Sequence, residues 1–151
     1  MDDVDRKLLQ LLVGDARLSW AELGSQLKLS GPAVAERVRK LEAEGIIRGY
    51  AAQLEPEAVG RGVAALIAVT LEKPSHRARF VRWVREQDEI VECHHVAGDD
   101  DYLLKARCGS VRALETLLSD GLKGLEGVAR TRTTIVLSTI KEAALLPAKK
   151  P

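Results

Sequence analysis

Two stretches of this 151-residue chain carry side chains of a type and spacing that could bind something. The first follows Ser30-Gly31-Pro32. A Ser or Gly cap with Pro in the first turn starts a helix. Val34, Val38 and Leu41 then form one stripe for a core. Ala33, Arg37 and Lys40 repeat the same spacing one residue out of step, about 100° around the helix. Small and polar at its start and basic further along, this second stripe suits a helix end entering the DNA major groove. Arg37 would read a base and Lys40 a phosphate. Glu36, Glu42 and Glu44 dilute the positive charge, and the plain alternative is a solvated face of an ordinary helical hairpin. Caps, lengths and order favour a helix-turn-helix.

The second stretch is Gly98-Asp99-Asp100-Asp101. A Gly-led turn exposes backbone N–H groups that can hold a carboxylate, and adjacent carboxylates can hold an ammonium group. Both ends of a zwitterion are catered for within one turn. A solvated acidic hairpin turn is the alternative, since Gly and Asp are ordinary turn residues.

Other combinations lead less far. On a strand Cys93 and His95 share a face and His94 points away. With Cys108 they evoke zinc, but there is no C-x-x-C or H-x-x-x-H pair, so no metal site is expected. Two cysteines are too few for a disulfide framework, and reduced thiols are expected. No G-x-S-x-G, P-loop or G-x-G-x-x-G marks an enzyme, and no cofactor is expected. Arg77, Arg79, Arg82 and Arg85 form either a nucleic-acid patch or a solvated helix face, and the latter is favoured.

The elements that must position these groups follow from composition and period. Hydrophobic residues make up 46% of the chain and aromatic residues 3%, so the core must be aliphatic. The net charge of +1 gives no global attraction to nucleic acid, so any DNA binding comes from local patches multiplied by oligomerisation. The start, MDDVDRK, has no apolar signal region, and no apolar run approaches the roughly 20 residues of a membrane span. A soluble cytoplasmic protein, with no membrane partner, is expected.

Val4, Leu8, Leu11 and Leu12 predict a helix over residues 2–14. Ser19 and Glu22 make a capping box for a second helix, striped by Trp20, Leu23 and Leu27. The third helix ends at Gly45. Ile46, Ile47 and Tyr50 suggest a small wing or a linker strand. Pro56, Gly60 and Gly62 mark a joint. From Val63 the period becomes two. Strands are predicted over 63–71, 90–97, 102–108 and 128–140. Helices are predicted after Ser75, with Phe80, Val81, Trp83 and Val84 inward, and after Ser110, carrying Val111, Leu114, Leu117, Leu118 and Leu122. The fold class is therefore α+β: a three-helix winged helix-turn-helix over 1–50, a linker over 51–61, a βαββαβ ferredoxin-like antiparallel domain over 62–140, and a tail over 141–151 with a short helical turn and loose basic end. The first strand is apolar on both faces, with Val63, Ala65, Ile67, Val69 and Leu71 on one and Ala64, Leu66 and Ala68 on the other. Two helices cover one face, so a second copy is expected to cover the other.

The order of elements and several motifs resemble the Lrp/AsnC, or feast/famine, family over nearly the whole chain. These are Asp2-Asp3-Val4-Asp5-Arg6-Lys7-Leu8-Leu9, Leu29-Ser30, Glu36-Arg37-Val38-Arg39-Lys40-Leu41-Glu42, Gly45-Ile46-Ile47-Arg48-Gly49-Tyr50, the hairpin Glu92 to Lys105, and Gly127-Val128 with Thr131-Arg132-Thr133. The resemblance implies a transcription factor that senses an amino acid, pairs into homodimers that often assemble to octamers, and binds double-stranded DNA with its N-terminal domain. Its DNA-contacting residues would be Ser30, Pro32, Ala33, Glu36, Arg37, Arg39 and Lys40. Its effector residues would be Gly98, Asp100, Asp101, Tyr102 and Leu103 on the turn and Thr131, Thr133 and Thr134 on the last strand. Asp100 stands where close relatives often carry a bulky or aromatic residue, and Thr134 is smaller than in some. Other functions open to the sequence are a ligand-binding regulatory subunit of an enzyme and an architectural DNA-compacting protein.

Overall fold

The computed structural model describes residues 1–142. The chain divides into two compact units, one spanning Met1–Ala52 and the other Gln53–Ile140. All but two residues of the expected tail lie outside the described residues.

The first unit has three helices, α1 (Asp3–Gly14), α2 (Trp20–Leu27) and α3 (Gly31–Ala43). Each begins where a side chain takes up an orphan backbone N–H. Asp2 and Asp5 make a reciprocal capping box on α1, and Ser19 and Glu22 do the same on α2. Ser30 accepts from the Ala33 N–H and Pro32 sits in the first turn of α3. Leu8, Leu12, Leu23, Val34, Val38 and Leu41 are buried together as the core. Trp20 departs from the expected stripe: it is 44% exposed. As the first residue of α2 it lies beside Gly31 at the start of α3, not over the core. The expected wing is absent: residues 44–62 contain no strand, and the chain leaves α3 through bonds from the Ile46 and Ile47 N–H groups to the Leu41 carbonyl.

The second unit follows the order β1 (Val63–Leu71), a 3-10 turn (Pro74–His76), α4 (Arg77–Arg85), β2 (Ile90–His95), β3 (Tyr102–Cys108), α5 (Val111–Thr116), a π turn (Leu117–Leu122) and β4 (Val128–Ile135). The four strands form one sheet in the order β2-β3-β1-β4, every neighbour antiparallel. This is the βαββαβ arrangement that the period predicts. Ala65, Ile67 and Val69 of β1 are buried with Phe80 and Val84 of α4, Leu104 and Ala106 of β3, and Leu114, Leu117 and Leu122.

Three local expectations change. β2 and β4 are shorter than predicted, ending at His95 and Ile135. β1 reaches no further than Val63, so the residues after Ile135 have little strand to pair with, and among the described residues beyond it only the Val136 N–H bonds back to β1, at Ala64. Val111 is exposed, because it opens α5 on the solvent side of the Ser110 cap. The other face of the sheet carries Ala64, Leu66 and Ala68 on β1 beside Leu103, Lys105, Arg132 and Thr134, by register. Leu66 and Leu103 are exposed there.

Candidate functional site

In α3 the buried residues Val34, Val38 and Leu41 fix which side faces water. Pro32, Glu36, Arg39, Lys40 and Ala43 are exposed on the opposite side, and Ala33 is half-buried at its edge. Lys40 lies 3.9 Å from Glu44, a loose surface pair. Arg39 has no partner among the described residues. Glu36 is the one acid in the middle of this face, so its charge is mixed rather than uniformly basic.

Arg37 is placed differently. Its Nη1 donates to Asp2 Oδ2 at 2.8 Å and to Asp5 Oδ1 at 2.6 Å. Position 37 flanks the core stripe, where the start of α1 comes against it. The Asp5 side chain is only 10% exposed, so this is a half-buried charge cluster joining α1 to α3. Asp2 is held down to a pKa of about 2, first by the Asp5 backbone N–H it accepts and then by the Arg37 guanidinium. The pair raises the Arg37 pKa in return.

The β2–β3 turn is held in place by its acids. The Asp101 carboxylate accepts the Leu71 N–H at 2.7 Å, and the Asp101 N–H donates to the Val69 carbonyl at 2.9 Å. The Asp100 carboxylate, 13% exposed, accepts from Thr70 Oγ1 at 3.1 Å, Arg130 Nη2 at 3.3 Å and Arg132 Nη2 at 3.0 Å. Arg130 also donates to the Asp99 carbonyl at 3.3 Å. Two of the three carboxylates expected to meet an ammonium group are therefore engaged within the fold. Asp99 is exposed and its carboxylate has no partner among the described residues.

Donors remain. The N–H groups of residues 97–100 find no acceptor among the described residues. Gly98 sits at φ +150°, a conformation that only glycine adopts freely. The side chains of Arg130 and Arg132 stay 58% and 68% exposed, with guanidinium N–H donors left over beside the turn. The buried hydroxyl of Tyr102 also lacks a partner; its ring lies against Phe80 and His95, with centroids 4.6 and 5.0 Å away.

The last strand contributes unevenly to the expected effector set. Val69 pairs with both Tyr102 and Thr131, which puts those two residues in one row across β1. Thr131 and Thr133 share the helix-covered face with Tyr102, whereas Thr134 and Leu103 lie on the open face. Arg130 and Arg132, absent from the expected set, are the strand's main contribution to the turn. Their i, i+2 spacing puts them on one face, which was visible in the sequence, but their partner at Asp100 was not.

The chain matches the family model of the AsnC-type helix-turn-helix domain over residues 1–42 and that of the Lrp/AsnC ligand binding domain over residues 64–146. It is 40% identical over 139 residues to the HTH-type transcriptional regulator LrpA of Mycobacterium tuberculosis, covering 92% of this chain and 91% of that one. It is 38% identical over 151 residues to the leucine-responsive regulatory protein of Escherichia coli, covering 99% and 92%. A transcriptional regulator from Neisseria meningitidis solved as a complex with L-Met superposes with a TM-score of 0.93 at 35% identity, covering 97% and 96%. A feast or famine regulatory protein from M. tuberculosis complexed with L-methionine superposes with a TM-score of 0.88 at 39% identity, covering 96% and 97%.

Proposed function

The chain belongs to the Lrp/AsnC family of transcriptional regulators, and from that premise we propose that it reads DNA with the outer face of α3 and senses a free amino acid at the turn after β2. On α3 the contacts fall to Pro32, Glu36, Arg39 and Lys40. Ser30 and Ala33 meet the backbone at the helix start, where exposed N–H groups favour phosphate. Arg39, exposed and unpaired, takes the base-reading role that spacing gives to Arg37. Arg37 acts by holding α3 against α1. Trp20, exposed beside the first residue of α3, adds an aromatic surface at the same end.

At the turn, the observation that carries the proposal is the row of free N–H groups after Val96 with exposed guanidinium donors beside it. These hold the effector's carboxylate. Asp99 takes the ammonium group. Asp100 and Asp101 fix the turn, Gly98 gives it its conformation, Tyr102 anchors its end in the core, and Leu103 adds an exposed apolar contact. Thr131, Thr133 and Thr134 remain candidates for contacts across the sheet. The L-methionine bound by the two relatives makes it the first ligand to try.

The open sheet face, with Leu66 and Leu103 exposed, supports pairing with a second copy, and such dimers assemble further, to an octamer. A ligand held between dimers would shift assembly, because it meets its full contacts in one state only. The role is regulatory, not catalytic, and is exercised in the cytoplasm, with the DNA.

Selection of bound duplexes from a random pool, repeated with each amino acid, tests the whole reading. The expected result is one enriched motif whose recovery changes with at least one amino acid. A pool that stays random would overturn the DNA half. Enrichment indifferent to every amino acid would overturn the sensing half.

A further inference from the structure

We propose that the outer groove of α4 is a second DNA contact, in which Arg77, Arg82 and Arg85 hold backbone phosphates away from the reading helix. The three line a shallow concavity of about 780 Å³ whose floor includes Ala78 and Val81, with Glu86 at its end. The fourth arginine of α4, Arg79, is ion-paired to Glu126. The other three are exposed and have no partner among the described residues.

Leaving them unpaired has a cost. Arg82 and Arg85 stand at i, i+3, and like charges at that spacing oppose helix formation. An anion along the groove removes that repulsion. Arg77 and Arg85 are eight residues apart, so the row spans about 12 Å of helix. Phosphates of one strand recur about every 3.4 Å along the duplex axis, so the three guanidinium groups of such a row meet at most three of them. Guanidinium forks suit phosphate oxygens, and they need no base to recognise.

DNA is the occupant that the rest of the molecule favours over an acidic peptide. The chain's net charge is only +1. The outer face of α3 sets Arg39 and Lys40 against Glu36, so it supplies few phosphate contacts itself. The three exposed, unpaired arginines of α4, gathered on one groove, supply positive charge that the α3 face lacks.

The test is a salt titration of the full-length protein on a mixed-sequence duplex. Three proteins are compared with wild type: the triple variant Arg77→Ala/Arg82→Ala/Arg85→Ala, the same three positions changed to Lys, and Arg39→Ala. Each phosphate that is no longer neutralised lowers the slope of log K against log salt by about 0.9, so the triple alanine variant should lose up to about 2.7. The lysine variant should keep most of the slope, because a point charge still meets phosphate. A triple alanine variant with the wild-type slope overturns the proposal. So does a lysine variant as weak as the alanine one, since charge would then not be the cause. Competition by poly-glutamate that the alanine variant alone resists, with its DNA slope unchanged, would reassign the groove to an acidic peptide. Arg39→Ala reports separately on α3, so the two surfaces succeed or fail independently.

Discussion

Helix α3 and the turn after β2, the two sites proposed above for DNA and effector, both hold charged groups still, and they do so by different means. In α3 the anchoring and the binding are on separate faces. Val34, Val38 and Leu41 fix one side in the core, Arg37 ties the flank to Asp2 and Asp5, and the opposite side is left open. The four turn residues, Gly98 to Asp101, bring no apolar side chain. Polar groups hold the turn, through Asp101 to the Leu71 N–H and Asp100 to Thr70, Arg130 and Arg132. A helix can divide its duties by azimuth, whereas a turn must draw its scaffold and its contacts from the same few residues. Substitutions in α3 should therefore separate into stability effects and binding effects, while those in the turn should mix the two.

The sharpest test of that division is a pair of arginine substitutions. Arg37→Ala leaves the Asp5 carboxylate nearly buried without its cation, and should destabilise the first unit by about 2–3 kcal/mol. Urea unfolding followed by circular dichroism reads this directly. Arg39→Ala should change stability by no more than about 0.5 kcal/mol, yet weaken binding to a selected operator by about 1–3 kcal/mol. If Arg37→Ala folds like wild type and loses DNA affinity, the assignment of the two arginines is reversed.

In the turn, Gly98→Val meets open space around the new side chain, so only the backbone objects. Holding a β-branched residue at φ +150° costs roughly 1–3 kcal/mol. Calorimetry with L-methionine should show effector binding lost, while effector-free DNA binding persists. Unchanged binding would mean that the turn does not form the site.

Asp99→Asn should have a smaller effect, weakening effector binding by about 1 kcal/mol, in keeping with an exposed charge pair, and leaving thermal stability alone. Asp100→Asn should lower both together, because Asp100 anchors the turn. Equal behaviour of the two variants in a combined melting and calorimetry series would contradict the roles given to them.

The smallest effect expected is on acid stability. Asp2 has its folded pKa lowered to about 2 from 3.8, so it contributes stability that is fully present above its unfolded value and is lost as pH falls through its folded value. Between about pH 4 and pH 2 the advantage of wild type over Asp2→Asn in urea midpoint should shrink toward zero. A constant difference across that window would assign the stabilisation to packing instead.

Much of this architecture was legible in the sequence because it depends on local rules. Ser19 with Glu22 and Ser30 with Pro32 mark helix starts, and Ala65, Ile67 and Val69 alternate as a strand must. The cap geometry and the buried stripes follow those signals closely. What could not be read were interactions across long sequence distances. Arg37 meets acids 32 and 35 residues earlier, and Asp100 meets arginines 30 and 32 residues later. Periodicity places a residue on a face but does not say which other element arrives there. Trp20 shows the same limit: its spacing fits the core stripe, but α2 begins at that residue, and its ring has no core to enter. The acids of the turn looked available because sequence lists charges without their hydrogen bonds.

The joint between α2 and α3 has a consequence for how firmly the proposed DNA contact would hold. The Leu29 N–H bonds to the Gly24 carbonyl at 2.9 Å, and a Cβ on Gly24 would lie 2.5 Å from the Leu29 carbonyl oxygen. The two segments are so close that no side chain fits between them and little relative motion is left. On the proposed reading, α3 thus arrives at the groove with its start already fixed. Ordering a flexible segment on binding consumes interaction energy, by about 0.5–1.5 kcal/mol for each immobilised side chain alone. A closed joint avoids that entropic loss, so a modest set of contacts can still give a long residence time on DNA.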